Sequence, residues 1–437
     1  MTMDVLLSMG FMLLLIILFL GLGVWVFSGL ILVSICSLAI LADFPMDRIG
    51  IIAKSIIWRS SSAWELSAIP LFIWMGEIIF RTDISDRLFR GLSPLVQWMP
   101  GRLLHTNVLG CTLFAAVSGS TSATTATVGK ITTGALAERN YSNSLSIGSL
   151  AGAGSLGLLI PPSIVMIIYG VLAEVSIAKL FAAGILPGLL VAFVYSMYII
   201  TRCSMNPDLA PKETEPFSLK ECISGLQNLL PVVFLIVLVL GSIYAGIATP
   251  SEAAAVGVLA TFLVTIVMGS FSWKVIIEAA MGAIRTSCMV CSILIAAALL
   301  STSIGYLHIP SQLVAVIESM GLTPYALLLI LALFYVVLGF FLDGISIIVM
   351  SLPITLPLIL QAGFDPIWYG VFLVLMIELA QMTPPVGFNL FILQGLTGQP
   401  IGTIVKAAFP FFLLMAAVVM VVSLFPNIAL FLPQLMS

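Results

Sequence analysis

Carbonyl oxygens stripped of their usual donors are the groups this sequence makes most available for chemistry. Two Pro-Pro pairs lie inside strongly apolar runs, Leu159-Ile160-Pro161-Pro162-Ser163 and Met382-Thr383-Pro384-Pro385-Val386. Proline has no N–H and collides with the preceding helical turn. Each pair therefore leaves backbone carbonyls without internal partners. Lipid cannot satisfy them, so such breaks persist only where they face protein, water or an ion. One break in each half of the chain points to a solute or ion site at membrane depth.

Polar residues near the breaks add to that chemistry. The stretch Ser118 to Ser122 offers hydroxyls and glycine-exposed carbonyls, facing Gly157 to Ser163 across the repeat. Oxygen ligands of this kind suit a hard cation, such as sodium held by carbonyls and hydroxyls of broken helices. The same small residues also suit a seam for close helix packing. Asp343 is an intramembrane carboxylate, which is expensive and marks a functional site by default. Three roles stay open for it: binding a cation, carrying a proton, or capping the helix that starts at Gly344. Glu378 lies one and a half turns before Pro384 and can line the same cavity. Glu77 sits near a span end; Glu252, after Thr249-Pro250-Ser251, reads as a structural acid in a first helical turn. Lys130 and Arg285 receive no role. Cys288 and Cys291 form a C-x-x-C in an apolar run and read as packing residues. His105 and His308 are isolated, so no metal cluster is expected. The Gly-x-Ser around Ser118 lacks a matching histidine and acid, and no Gly-rich loop precedes a Lys-Ser/Thr for nucleotide phosphates. The expectation is a protein that is not an enzyme and draws on an ion gradient rather than on its own ATP hydrolysis.

Composition defines the elements that must hold these residues. The chain of 437 residues is 61% hydrophobic and 8% charged, with a mean hydropathy of +1.23, whereas soluble domains carry about 25% charged residues. It reads as an all-α polytopic membrane protein. The net charge of −3 gives no argument for nucleic acid or a polybasic membrane patch. The first residues lack a basic n-region, so Leu6 to Leu20 reads as a retained span rather than a cleaved signal. At about 20 apolar residues per span, crossings are expected near 5–22, 24–42, 65–80, 144–172, 177–200, 228–247, 250–270, 277–298, 366–396 and 405–431. Two further apolar stretches, near 103–137 and 324–360, are interrupted at their centres and read as re-entrant helical hairpins whose tips face a cavity.

The halves share a layout. Gly119 lies 42 positions before Pro161, and Gly344 lies 40 before Pro384. Each half reads as a span, a hairpin with a glycine tip, a helix broken at 161-162 or 384-385, and a further span. This gives N-terminal scaffold spans at 1–64, a first repeat at 65–203, a polar loop with scaffold spans at 204–276, and a second repeat at 277–437. Arg81, Arg87, Arg90 and Arg102 place the segment after span 65–80 in the cytoplasm. Counting onward, the second hairpin opens from the opposite face, so the repeats are inverted and both termini fall outside, in the periplasm. Arg48, Lys54 and Arg59 then also fall outside, which fits an interfacial amphipathic helix from Asp47 to Trp58.

Several runs in order along most of the chain resemble one family. They are Ala68-Ile69-Pro70-Leu71-Phe72-Ile73 with Gly76-Glu77, Val117-Ser118-Gly119-Ser120, Leu156 to Ser163, Thr249 to Ala255, Gly339-Phe340-Phe341-Leu342-Asp343, and Thr383 to Phe391. These resemble the large membrane subunit of TRAP (tripartite ATP-independent periplasmic) transporters. The resemblance implies a bacterial inner-membrane subunit of a sodium-coupled importer. It also implies two partners, a periplasmic binding protein that delivers an organic acid and a small four-helix membrane subunit. An elevator is implied, with a transport domain bearing both hairpins sliding against a scaffold. Carried over, a first sodium site uses Ser118, Gly157, Ile160 and Pro162, and a second uses Gly339, Ala380, Thr383 and Val386. Ala115 and Ala380 depart from the serine and glycine frequent in the family; Ala115 removes a hydroxyl, while Ala380 still supplies a carbonyl.

The resulting expectation is secondary active uptake of a carboxylate solute: a dicarboxylate, keto acid or sugar acid. Ser120, Thr121, Asp343 and the backbone near Gly344 are the candidate solute residues, between tips ordered by sodium as coupling ion. Two other readings stay open. One is a stand-alone proton- or sodium-coupled carrier of a related inverted-repeat family, with Asp343 and Glu378 carrying protons. The other is a membrane scaffold or intramembrane enzyme, which leaves both Pro-Pro breaks unexplained.

Overall fold

The computed structural model describes residues 2–211, 219–319, 321–384 and 387–436. Among them the chain forms helices and no strand. The first half comprises α1 (Thr2–Gly21), α2 (Val26–Ile40), α3 (Met46–Ser61), α4 (Ala68–Arg81), α5 (Ile84–Val96), α6 (Leu104–Ser118), α7 (Thr121–Glu138), α8 (Asn143–Gly154), α9 (Ile164–Leu172) and α10 (Ile177–Met205). The second half comprises α11 (Leu219–Tyr244), α12 (Pro250–Val267), α13 (Trp273–Tyr306), α14 (Ile309–Ser319), α15 (Pro324–Leu338), α16 (Gly344–Gln361), α17 (Pro366–Gln381), α18 (Phe388–Thr397), α19 (Ile401–Leu424) and α20 (Asn427–Leu435).

Caps start many of these helices where short polar residues interrupt the apolar runs. Ser163, Ser176 and Thr323 each accept a backbone N–H three residues on, and Asp365 accepts those of Ile367 and Trp368. Thr249 and Glu252 form a reciprocal capping box at the start of α12, the structural role expected of Glu252. Seven single prolines leave a helix intact: Pro94, Pro187, Pro231, Pro353, Pro357, Pro410 and Pro433 all lie within one. At each Pro-Pro pair the helix does stop. Between α8 and α9 it tightens into a 3-10 turn, Ser155–Leu158, before the prolines. Between α17 and α18 it ends at Gln381.

These breaks divide several of the expected spans. Among the described residues, six helices are by length and composition long and apolar enough to cross a bilayer alone, or seven if α3 and the segment Trp64–Arg81, bent by 53°, count as one. Of the ten expected crossings, α2 and α4 are 15 and 14 residues long, while 144–172 and 366–396 are each two shorter helices. The stretch 405–431 is divided between α19 and α20. Conversely α16 passes the length test although it reads as a hairpin arm. Hydropathy measures the apolar run, and a run interrupted by a turn is as apolar as a straight one.

The helices sort by what they touch. α4 packs on α12 and α13, α5 on α11, α11 on α12, and α13 also on α2 and α3. A second group centres on α17, which contacts α10, α15, α16, α19 and the 3-10 turn. From Trp368 to Gln381 every residue of α17 is buried, so this helix is enclosed by protein on all sides. Its outer end is held by Tyr369, whose hydroxyl lies 2.6 Å from that of Tyr335 on α15. α6 and α7 form the first helical pair, joined by Gly119 and Ser120; α7 packs on α8, the 3-10 turn and α18. α15 and α16 form the second, joined by 339–343, and both lie against α17.

Candidate functional site

Glu378 organises the interior. It sits one turn before the break after α17 and is fully buried. Its Oε1 accepts the Thr121 hydroxyl at 2.6 Å and the Leu158 backbone N–H at 2.8 Å. Thr121 opens α7 just past the first tip, and Leu158 ends the 3-10 turn before Pro161. One carboxylate of the second repeat thus holds both parts of the first repeat's break. Among the described residues the other oxygen, Oε2, is buried without a hydrogen-bond partner, which is costly for a carboxylate unless something pairs with it.

The first tip is built by close backbone approach. Gly119 ends α6 in the left-handed region, at φ 59°, where a side chain is strained. A Cβ there would also lie 2.7 Å from the Pro162 carbonyl. Gly157 lies against the backbone of Ser120 and Thr121 so tightly that a methyl would collide with both. Ser118 and Thr124 share a hydrogen bond between hydroxyls at 2.9 Å, and Ser120 and Ser122 another at 3.0 Å. Ser118, Gly157 and Pro162 are therefore brought to one place. Ile160 is buried, with its side chain toward Gly188 of α10.

The second tip meets the same centre from the other side. Gly344 starts α16 against Ile377, the Gln381 amide at 3.0 Å and Leu158 at 3.4 Å from an added Cβ. Gly339 ends α15 directly on Ala380, with no room for a side chain. Thr383 donates its hydroxyl to the Leu379 carbonyl at 2.9 Å, leaving its oxygen lone pairs to accept. Val386, expected at the second sodium site, lies outside the described residues. Asp343 is exposed and caps α16: Oδ2 accepts the Ile345 N–H at 3.2 Å, and Oδ1 accepts the Ser346 hydroxyl.

The two breaks share a chemical feature. In an α-helix the carbonyl of residue i is bonded by the N–H of residue i+4. Pro161 has no N–H for Gly157, and Pro384 has none for Ala380. Ala380 instead takes the Thr383 N–H at 3.0 Å. The oxygen-only donor set, hydroxyls and carbonyls beside glycine backbones, fits a monovalent hard cation. Among the described residues no cluster of histidine, cysteine, aspartate or glutamate could hold a transition metal.

The expected solute residues are distributed unevenly. Thr121 shares Glu378 with Leu158, and Gly344 lies near the Leu158 side chain, whereas Ser120 is half-buried and Asp343 exposed. The Thr121 hydroxyl is already donated to Glu378. Sequence reasoning placed Glu378 in the cavity but not in contact with Thr121, 257 positions away. It also missed Asn389, which is buried and donates to the Ala151 carbonyl at 3.0 Å, tying α18 to α8. The only signal for either was a polar residue stranded in an apolar helix. Glu77 pairs with Arg81 at 2.9 Å, with Glu278 at 3.7 Å from the same guanidinium, and Gly282 packs on its carboxylate. Cys288 and Cys291 are free thiols.

Comparison with known proteins gives a consistent picture. The family described as "Tripartite ATP-independent periplasmic transporter, DctM component" matches residues 11–428. The C4-dicarboxylate TRAP transporter large permease protein DctM of Pseudomonas aeruginosa is 33% identical, over 90% of this chain and 91% of that protein. The isethionate TRAP transporter permease protein DctMQ of Oleidesulfovibrio alaskensis is 32% identical, over 95% of this chain and 64% of that longer protein. The crystal structure of the Alcanivorax borkumensis YdaH transporter superposes with a TM-score of 0.60, covering 97% of this chain and 98% of that one at 13% identity, a likeness of fold.

Proposed function

The chain belongs to the DctM-component family of tripartite ATP-independent periplasmic transporters, and on that premise we propose that it imports an organic acid in symport with sodium. It is the large membrane subunit of such a transporter, a multi-pass protein of a bacterial inner membrane. Its partners in this reading are a small four-helix membrane subunit and a periplasmic binding protein that delivers the solute. The relatives named for C4-dicarboxylates and for isethionate handle small anions, and the solute class proposed here is a dicarboxylate, keto acid or sugar acid.

The observation that carries this reading is the meeting of both tips and both breaks around Glu378 and Leu158. Ser118, Gly157, Ile160 and Pro162 would hold one sodium; Gly339, Ala380, Thr383 and Val386 would hold the other. Bound sodium supplies positive charge beside the tips, where an anion needs it. The chain's own residues do the rest. Ser120 and the backbone near Gly344 would offer hydroxyl and N–H donors to the solute carboxylate. The buried α17 keeps bulk water from the centre. The helices grouped around α17 would slide as a unit against α4, α11, α12 and α13.

The test is uptake into proteoliposomes holding the chain with its small subunit and binding protein. An inward sodium gradient should drive accumulation, and replacing sodium by potassium should abolish it. Accumulation driven by a proton gradient alone would overturn the coupling, and full-rate uptake by the isolated chain would favour a stand-alone carrier.

A further inference from the structure

We propose that Glu378 is a positioning residue that couples the two ion sites, carrying the state of one tip to the other. The inference deepens the sodium-coupled reading above and rests on it. Glu378 stands on the same turn of α17 as Ile377, Ala380 and Gln381. Those three residues are the surface on which both ends of the second tip rest, Gly339 on Ala380 and Gly344 on Ile377 and Gln381. Its own carboxylate reaches the other way, to Thr121 and Leu158 in the first repeat. Thr121 adjoins the tip packed on Gly157, and Leu158 lies beside the carbonyls that Pro161 and Pro162 leave without donors. The Leu158 side chain also lies next to Gly344, 3.4 Å from where a Cβ would stand. A single turn of one enclosed helix therefore meets Thr121 and Leu158 of the first repeat and Gly339 and Gly344 of the second.

Such contiguity gives coupling a physical route, because packed interior elements shift between discrete arrangements rather than deform smoothly. With Thr121 and Leu158 both bonded to one carboxylate oxygen, drawing the first tip away from the 3-10 turn either breaks one of these bonds or moves α17. Movement of α17 displaces the platform under Gly339 and Gly344. The coupling is reciprocal, so occupancy at the second site equally favours the first.

Amide hydrogen exchange on the full-length chain in lipid nanodiscs tests this, with and without sodium. The Leu158 N–H donates to Glu378, so its exchange reports the bridge itself. Even without sodium, Glu378→Ala should speed exchange at residues 155–160, and Thr121→Val should speed it at 119–123. In wild type, sodium should protect 119–123 and 339–345 together, with one midpoint. In the two variants the midpoints should separate by roughly 5- to 150-fold, the usual range of intersite coupling. Glu378→Gln keeps an acceptor oxygen and should retain the single midpoint. A purely structural residue would instead lower protection everywhere and leave the midpoints together. Unchanged exchange at Leu158, or coincident midpoints in Thr121→Val, would overturn the proposal. If sodium protects neither tip in wild type, the sodium reading falls and so does coupling between ion sites, while the Leu158 comparison still decides whether the bridge exists.

Discussion

At the scale of single residues, the interior is arranged by close approaches that leave little tolerance. Gly157→Ala places a methyl against the Thr121 backbone, where overpacking costs about 1–3 kcal/mol. Gly119→Ala adds about 1–2 kcal/mol for a left-handed residue, besides pressing on the Pro162 carbonyl. Both variants should express, melt at lower temperature and lose sodium-dependent uptake, as thermal scans and transport assays will read. Asp343 makes an opposite prediction. Its observed role is an N-cap, and asparagine caps as well as aspartate. Asp343→Asn should therefore keep most uptake, while Asp343→Ala should cost about 0.5–2 kcal/mol of stability. Loss of uptake in Asp343→Asn with unchanged stability would mean that the charge itself is used.

Elements divide according to how their breaks are made. Seven isolated prolines leave their helices continuous, so a lone proline in this chain is a poor marker of a site. The paired prolines coincide with real stops. The first stop nevertheless begins earlier than its pair, at Gly154, where Gly152, Gly154 and Gly157 weaken the helix. Pro161→Ala would return an N–H within reach of the Gly157 carbonyl. The expected outcome is an unchanged or raised melting temperature with apparent sodium affinity weakened about tenfold, equivalent to ~1.4 kcal/mol. Uptake measured against sodium concentration separates that result from simple misfolding.

For the whole molecule, the predictions concern orientation and assembly. By the distribution of basic residues, Arg81, Arg87, Arg90 and Arg102 are expected to put α5 and its flanks on the cytoplasmic side. A cysteine at exposed Arg90 should react with an impermeant maleimide only in inverted vesicles; labelling in intact cells would reverse the topology. α3 is the test of the outer face, since it is a mostly exposed helix carrying Lys54 and Arg59, with Arg48 stacked 3.7 Å over the Phe44 ring. The proposed sliding unit also makes a measurable claim. A crosslink between α13 and α16, which pack together here, should stop transport without preventing solute delivery by the binding protein.

Much of this was written in the chain itself. Low charge and long apolar runs dictate a helical membrane protein, because only internally bonded backbone survives in lipid. Proline pairs and glycine tips mark the breaks, because backbone sterics act between neighbours in sequence. The ordered motifs resemble the family to which the chain belongs. Tertiary structure decided the rest. Glu378 and Thr121 could be listed as stranded polar groups, yet their pairing joins positions 257 apart and depends on how α17 packs. Three roles are open to Asp343 from sequence, and the fold shows it exposed and capping α16, one of the three. Local rules fix where a helix ends; which buried oxygen meets which distant donor is fixed only when the helices are packed.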